Sequence, residues 1–395
     1  MNKASFIIGS LLLASFLSSC TTSNAIRVAT SRSPAQAIRA IAESRVESYK
    51  YNPVLALSDI RRAQAQLNRL LGNVKKQSSR KWGRRESEKL PTRTRYVKYT
   101  DDYTSRVTVN FDAGKVLIEH LDEPDIRNKL QNAVLIALLT PGDPRSVDLF
   151  SDKPVELDGT PYLQGLVADQ NGKLIENRAD AEAYAGYLVQ HAMHSKTIDV
   201  NGLLRRVSYV QFAMVNTHIE QGALKYAPQV RKYSAATGVS RSLIYAIIKT
   251  ESSFNPFAVS SVPAYGLMQL VPESGGRDAY RRVTGLDRAP SKEYLFDATN
   301  NIELGSTYLS MLIDDSILQD IRDPISREYC AIAAYNTGPR NVLRAFASDP
   351  QSALRAINRM TSGEVYNTMR MKLPYAETRS YISKVISAQN HYATM

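Results

Sequence analysis

One short stretch of this sequence has the residue types for chemistry. Glu251 opens ESSFNPFAVSSVPAYGLMQL, and no Asp or Glu follows until Glu273. A lone carboxylate can still give and take a proton, so its surroundings decide what it can do. Upstream, Gly238 is placed to close one helix and Ser240 to cap the next. Ile244, Ile247, Ile248 and Glu251 then follow at i, i+3, i+4 and i+7, which puts the acid on the apolar stripe of that helix. Pro256 stops the helix near Asn255. A carboxyl in this last turn is desolvated and faces the negative end of the helix dipole, and both effects favour its protonated form. That is the state a general acid needs at neutral pH. The alternative is a helix-end glutamate that frays into solvent or pairs with a nearby Arg or Lys.

Other chemistry is hard to place. None of the five histidines pairs at i, i+4, no His/Cys group has metal-ligand spacing, and no Gly-rich phosphate loop is present. No metal and no cofactor are expected. The 395 residues carry a formal charge of +12, which suits a polyanionic partner: nucleic acid, anionic lipid or an acidic wall polymer. The N-terminus argues against nucleic acid. MNKASFIIGSLLLASFLSSC has a positive start at Lys3 and an apolar run from Phe6 to Leu17, too short to span a bilayer. Leu17-Ser18-Ser19-Cys20 matches a bacterial lipobox, in which Cys20 becomes the lipidated first residue. Thr21, where an Asp would retain the protein in the inner membrane, implies by resemblance to Gram-negative lipoproteins an outer-membrane address. With Cys20 lipidated, Cys330 stands alone among apolar neighbours and reads as a small core residue.

Along the chain, residues 1–19 read as a signal peptide and 20–89 as a tether followed by an amphipathic helix, with Leu57, Ile60, Leu67, Leu70 and Leu71 on one face. The basic run KKQSSRKWGRRESEK reads as a solvated loop. Residues 90–216 read as an α+β domain. RYVKYT and SRVTVNFDAGKVLIEHL alternate and turn at Asp112-Ala113-Gly114-Lys115, DIRNKLQNAVLIALL is helical, and a strand, a turn at Asn171-Gly172 and a helix follow. LLRRVSYVQFAMV alternates again, with Val207, Tyr209, Gln211, Ala213 and Val215 on one side. Residues 217–395 read as all-α, with helices expected near 226–237, 240–253, 263–284, 298–315, 325–336, 339–347, 351–360, 362–371 and 375–392.

ESSFNPFAVSSVPAYGLMQLVP resembles the signature of the goose-lysozyme-like lytic transglycosylases: E-S-x-F-x-P-x-A-x-S, then G-L-M-Q, often followed by Pro. AAYNTGPRNV and LPYAETRSYISKV are similar to the family's second and third blocks, in the same order. Outside these blocks, KWGRRE, YVKYTDDY, VNFDAGKVLIE, SVDLFSD and YLFDATNNIELGSTYLSML resemble a membrane-bound branch of the same family. Val259 to Pro263 is richer in Ser and Pro than the family pattern, and Met371-Lys372 stands where soluble relatives often carry an acid.

The resemblance implies an α+β N-terminal domain followed by an all-α lysozyme-like catalytic domain. It implies cleavage of the MurNAc-(β1,4)-GlcNAc bond of peptidoglycan glycan strands without water, with Glu251 as the sole acid and base. Ordinary glycosidases need two carboxylates, and substrate assistance by the acetamide is the exception. By position, Ser260 falls near the acetamide, Gln269, Tyr335 and Asn336 line the cleft, and Tyr381 sits near Glu251. On the residues alone, Tyr335 and Tyr381 can equally be core aromatics, Gln269 a structural amide, and Ser252 and Asn255 closers of the helix end. Leu267 and Met268 read as packing. Implied partners are the glycan strands, the outer membrane through Cys20 and other cell-wall enzymes, with no nucleic acid. A lysozyme-type hydrolase on the same fold and a non-catalytic wall-binding lipoprotein remain the alternative functions.

Overall fold

Alternation along RYVKYT puts Tyr96 on one side of a strand and Val97 and Tyr99 on the other, and all three are buried. A strand with two apolar sides must be covered twice, and this one is. The computed structural model describes residues 53–86, 89–260 and 264–394. The signal peptide, the lipobox with Cys20 and the start of the tether lie outside the described residues. No helix among the described residues is long and apolar enough to cross a membrane.

Five antiparallel strands, β1 (Arg95–Thr100), β2 (Ser105–Asn110), β3 (Lys115–Leu121), β4 (His194–Val200) and β5 (Leu203–Ala213), form one sheet in the order β1-β2-β3-β5-β4. Helix α1 (Pro53–Glu86) covers one face. Helices α2 (Ile126–Leu139) and α3 (Arg178–His191) lie on the other. Tyr96, Val109, Ile118, Val210 and Phe212 point towards α2, while Val97, Tyr99, Leu121, Val200 and Val207 point towards α1. The buried residues of β5 towards α2 are thus the set offset by one from the series through Tyr209 and Gln211. Strand β4 was not expected. Asn201-Gly202, both at positive φ, closes its hairpin with β5, and that dipeptide is the signal that marks it.

The basic run expected as a loop is instead the end of α1. Trp82 is fully buried, donates from Nε1 to Tyr103 O at 2.6 Å, and lies under the Arg106 guanidinium at 4.1 Å. Arg106 in turn holds Glu119 at 2.6 Å and Glu86 at 3.1 Å, and Lys89 at 3.0 Å and Lys196 at 2.8 Å also pair with Glu119. Burial pushes the Glu119 carboxyl up, but Arg106, Lys89 and Lys196 outweigh it and bring it down to about 2.

Beyond the sheet the chain is helical: α4 (His218–Lys225), α5 (Ala227–Thr237), α6 (Arg241–Ser252), α7 (Gly275–Thr284), α8 (Lys292–Phe296), α9 (Ala298–Asp314), α10 (Pro324–Thr337), α11 (Pro339–Leu343), α12 (Pro350–Ile357), α13 (Ser362–Lys372) and α14 (Ala376–Tyr392). The fold class is therefore the expected one, a sheet-bearing α+β region and then an all-α region. Cys330 is fully buried in the helical core, as its neighbours implied. Two expected helices are shorter: 339–347 ends at Leu343, and only 275–284 of the span 263–284 is helical. The described part before it is a tight turn, because Gly266 and Gln269 sit at φ +74° and +48° and cannot continue a right-handed helix. The short helices α4 and α8 were not anticipated.

The core of α6 runs from Leu243 to Ile248, every residue buried, and α14 packs along it. The two regions share a boundary core, where Phe257 lies 4.8 Å from Tyr96 and 5.2 Å from Tyr162 by ring centroid.

The Glu119 cluster makes a test of how α1 is held. A carboxyl lowered from 4.5 to about 2 contributes about 3 kcal/mol above pH ~4.5, lost as pH falls towards 2. Glu119→Gln removes the buried charge that faces Arg106 and leaves it the Glu86 carboxylate at 3.1 Å, so we expect a loss of up to about 3 kcal/mol at neutral pH and a flatter acid slope of unfolding free energy. An acid slope as steep as that of the unaltered protein would contradict this assignment.

Candidate active site

Helix α6 begins as its sequence dictates. Ser240 Oγ accepts from Leu243 N at 3.2 Å. Glu251 ends up 6 % exposed in the last turn, as its register implied. The helix then stops abruptly: Ser253 and Phe254 both take left-handed backbone, at φ +51° and +63°. Two successive non-glycine residues there cost about 1–3 kcal/mol each and need fixing by their surroundings. Asp112, in the β2–β3 turn, supplies part of that. Its Oδ1 accepts from Lys249 Nζ at 2.8 Å and Ser253 Oγ at 3.0 Å. Asn255 supplies more, accepting from Phe257 N at 3.0 Å and donating from Nδ2 to Arg93 O at 3.0 Å. Ser252 Oγ bonds back to Ile248 O at 3.0 Å. Ser252 and Asn255 are thus structural, although Asn255 also reaches across to the segment before the sheet.

Among the described residues, Arg93, Tyr335 and Tyr381 face the carboxylate. Arg93 Nη1 lies 3.3 Å from Glu251 Oε2. Burial pushes the phenols of Tyr335 and Tyr381 well above their ordinary value, and the charge of Glu251 adds to it in both. Both aromatics belong to the helical core and also wall the acid, so the two readings of them coincide. Tyr335 also braces the neighbouring turn, where its hydroxyl donates to Met268 O at 2.8 Å.

That turn spans Gly266 to Gln269. Tyr265 and Leu270 exchange backbone hydrogen bonds at 3.1 and 3.2 Å across it. Gln269 Nε2 donates to Ala258 O at 3.1 Å and Gly266 O at 2.8 Å, so its amide is the structural one. Its Oε1 is buried and has no partner among the described residues, which leaves an acceptor for a ligand donor. Asn301 fastens the turn from α9. It donates from Nδ2 to Tyr265 O and Leu295 O, both at 2.8 Å, and accepts from Met268 N at 2.8 Å. The packing is tight enough that a Cβ on Gly266 would meet Asn301 Nδ2 at 2.5 Å, and one on Gly305 would meet Met268 Sδ at 2.3 Å. Leu267 and Met268 are core residues, as expected.

Asn336 accepts from Thr378 Oγ1 at 2.7 Å, tying α10 to α14. Ser260 is half-buried, and its N–H donates to Ala264 O at 3.3 Å across residues 261–263. Glu273, past Pro272, is a second buried carboxylate of this region, 5 % exposed. No group of three or more His, Cys, Asp or Glu among the described residues could hold a metal ion. Sequence reasoning missed Asn301, Asp112 and Arg93. Asn301 stood in plain view within NNIELG, whereas Arg93 lies 158 positions from its partner and has no local signal.

Known proteins resemble the chain in two successive parts. Residues 60–225 match the family described as membrane-bound lytic murein transglycosylase C, N-terminal domain, and residues 228–358 match the transglycosylase SLT domain. The chain is 43 % identical over 298 residues to a membrane-bound lytic murein transglycosylase C of Klebsiella pneumoniae, covering 75 % of this chain and 81 % of that protein. A Yersinia pestis protein of the same name is 43 % identical, with 82 % of it covered. Among solved structures, an inactive mutant of the lytic transglycosylase Slt from Pseudomonas aeruginosa is 27 % identical with a TM-score of 0.34, over 43 % of this chain and 24 % of that one. The 70 kDa soluble lytic transglycosylase of Escherichia coli is 25 % identical with the same TM-score, over 45 % of this chain and 25 % of that one.

The turn makes the prediction here. Asn301→Ala removes three buried hydrogen bonds and should lower stability by about 3 kcal/mol in denaturant unfolding. A midpoint within experimental error of the unaltered protein would mean that the turn is held by packing alone.

Proposed function

The chain belongs to the membrane-bound lytic murein transglycosylase C family, and on that footing we propose that Glu251 alone carries the proton in non-hydrolytic cleavage of peptidoglycan. The observation that carries this reading is the buried carboxylate at the end of α6, walled by Tyr335 and Tyr381. In the forward step Glu251 gives its proton to the oxygen between MurNAc and GlcNAc. The acetamide oxygen of MurNAc attacks C1 as that bond breaks, forming an oxazoline-like intermediate. Glu251, now a carboxylate, takes the proton from the C6 hydroxyl of the same sugar. The C6 oxygen closes on C1, the oxazoline opens, and a 1,6-anhydro end remains. Proton donor and acceptor are one group, and the nucleophile is held on the substrate, which is why closure can outrun water.

Within this reading Gln269 Oε1 offers an acceptor to a sugar hydroxyl or amide. Tyr381 and Tyr335 shape the wall beside the acid, and Ser260 and Asn336 line the approach. These steps call on no cofactor. The lipobox at Cys20 supports anchoring to the outer membrane with the catalytic region in the periplasm, and the +12 charge suits an anionic, peptide-bearing glycan.

Two measurements test the proposal. Digestion of purified peptidoglycan should release products with 1,6-anhydro ends, seen by mass spectrometry. Reducing ends would mean a hydrolase, and undigested glycan a binding protein. Glu251→Gln should lower turnover by at least about 10³-fold while glycan binding and the unfolding midpoint persist. Substantial residual cleavage in that variant would exclude Glu251 as the proton carrier.

A further inference from the structure

The catalytic helix is not the only source of groups at the acid. Arg93 belongs to the segment that leads into β1, yet its guanidinium meets the Glu251 carboxylate at 3.3 Å. Its backbone is pinned to the loop beyond Glu251. Arg93 O accepts from Asn255 Nδ2 at 3.0 Å, and Thr92 O accepts from Val259 N at 3.4 Å. Thr94 O continues into the sheet, accepting from Phe111 N at 2.9 Å. The contact is therefore built into the junction of the two regions, not left to a wandering surface side chain. The Glu251 side chain is 7 % exposed and that of Arg93 39 %, so Arg93 is the more exposed partner of the pair.

We propose that Arg93 is a positioning residue for the proton shuttle: it holds Glu251 as the carboxylate in the free protein, and a glycan must displace it before Glu251 can carry the proton. This rests on the acid/base role of Glu251 given above. A cation beside a carboxyl favours the charged form, so the pair suits the base that receives the C6 proton and opposes the acid that starts the reaction. The proton can load only when the pair opens. Arg93 has somewhere to go, since Glu377 in the first turn of α14 also attracts it. Burial disfavours the guanidinium charge, and Glu251 and Glu377 more than make up for that. Among the described residues, the phenols of Tyr335 on α10 and Tyr381 on α14 also face Glu251, both held neutral. Lys249, on α6 itself, is engaged with Asp112. Arg93 is thus a cation positioned to set the charge of the acid, and it comes from outside the helical region.

The test separates free from bound protein. The pH dependence of kcat/KM on a soluble glycan strand reports the free protein, and that of kcat reports the complex. In Arg93→Gln the alkaline limb of kcat/KM should move up by about one pH unit, while the limb of kcat stays in place. Arg93→Lys should return the kcat/KM limb towards its original position, which a purely structural role would not do. A kcat/KM limb that stays put or moves down in Arg93→Gln overturns the proposal, as does an equal shift in both limbs. Carbon-13 titration of the Glu251 carboxyl, assigned through Glu251→Gln, reads the same shift without turnover. A midpoint unchanged by Arg93→Gln overturns the Arg93 proposal even if Glu251 remains essential. Full activity in Glu251→Gln overturns the acid/base reading, and the titration still decides whether Arg93 sets that carboxyl.

Discussion

The end of helix α6 is the constraint on which the site depends. A carboxylate transfers protons well when it is held in place and its pKa is tuned by its surroundings, and a helix C-terminus is where chains ordinarily fray. Here the fraying turn is stopped by left-handed backbone at Ser253 and Phe254, a conformation that does not persist unaided. Asp112 and Asn255 hold it from the polar side. Phe254 holds it from the apolar side, with its ring centroid 6.3 Å from that of Tyr392. The strain and its compensation meet in the residues just beyond Glu251.

Much of that compensation comes from the α+β region. Asp112 is the tip of a sheet hairpin, and Thr92 and Arg93 lead into β1. Phe257 completes the aromatic cluster of Tyr96 and Tyr162. His218 Nε2 meets Phe111 O at 3.0 Å, and Lys225 Nζ donates to Tyr162 O at 2.9 Å. The sheet therefore acts as a mechanical support for the loop that follows the acid. This gives the N-terminal region a physical role at the site apart from any ligand it binds.

How far this was legible in the sequence follows from what each feature needs. Burial of Glu251 needs only its own helix, and the period of Ile244, Ile247 and Ile248 showed it. The α2 helix and the β2–β3 hairpin are equally local, and they came out as read. Trp82 could not be seen as buried, because its cover is Arg106 and its acceptor is Tyr103, both on other elements. The Gly266–Gln269 turn carried enough apolar residues to look helical, and only the positive φ of Gln269 and the amide of Asn301 explain why it is not. The pairing of Arg93 with Glu251 was open as a class, since a nearby Arg or Lys was one reading of a helix-end glutamate. Which arginine it would be depended on the packing of one region on another.

In the proposed chemistry one carboxylate does the work of two. Glu251 and Glu273 are both buried in this region, and Glu251 is the one walled by the two phenols and the arginine. A crystal structure of Glu251→Gln bound to a MurNAc-containing oligosaccharide spanning the cleavage point would decide whether it does. The side-chain amide at position 251 should lie within hydrogen-bond reach of both the glycosidic oxygen and the C6 hydroxyl, with the acetamide oxygen over C1. A second carboxylate, Glu273 or another, placed against the opposite face of C1 would contradict the single-carboxylate mechanism.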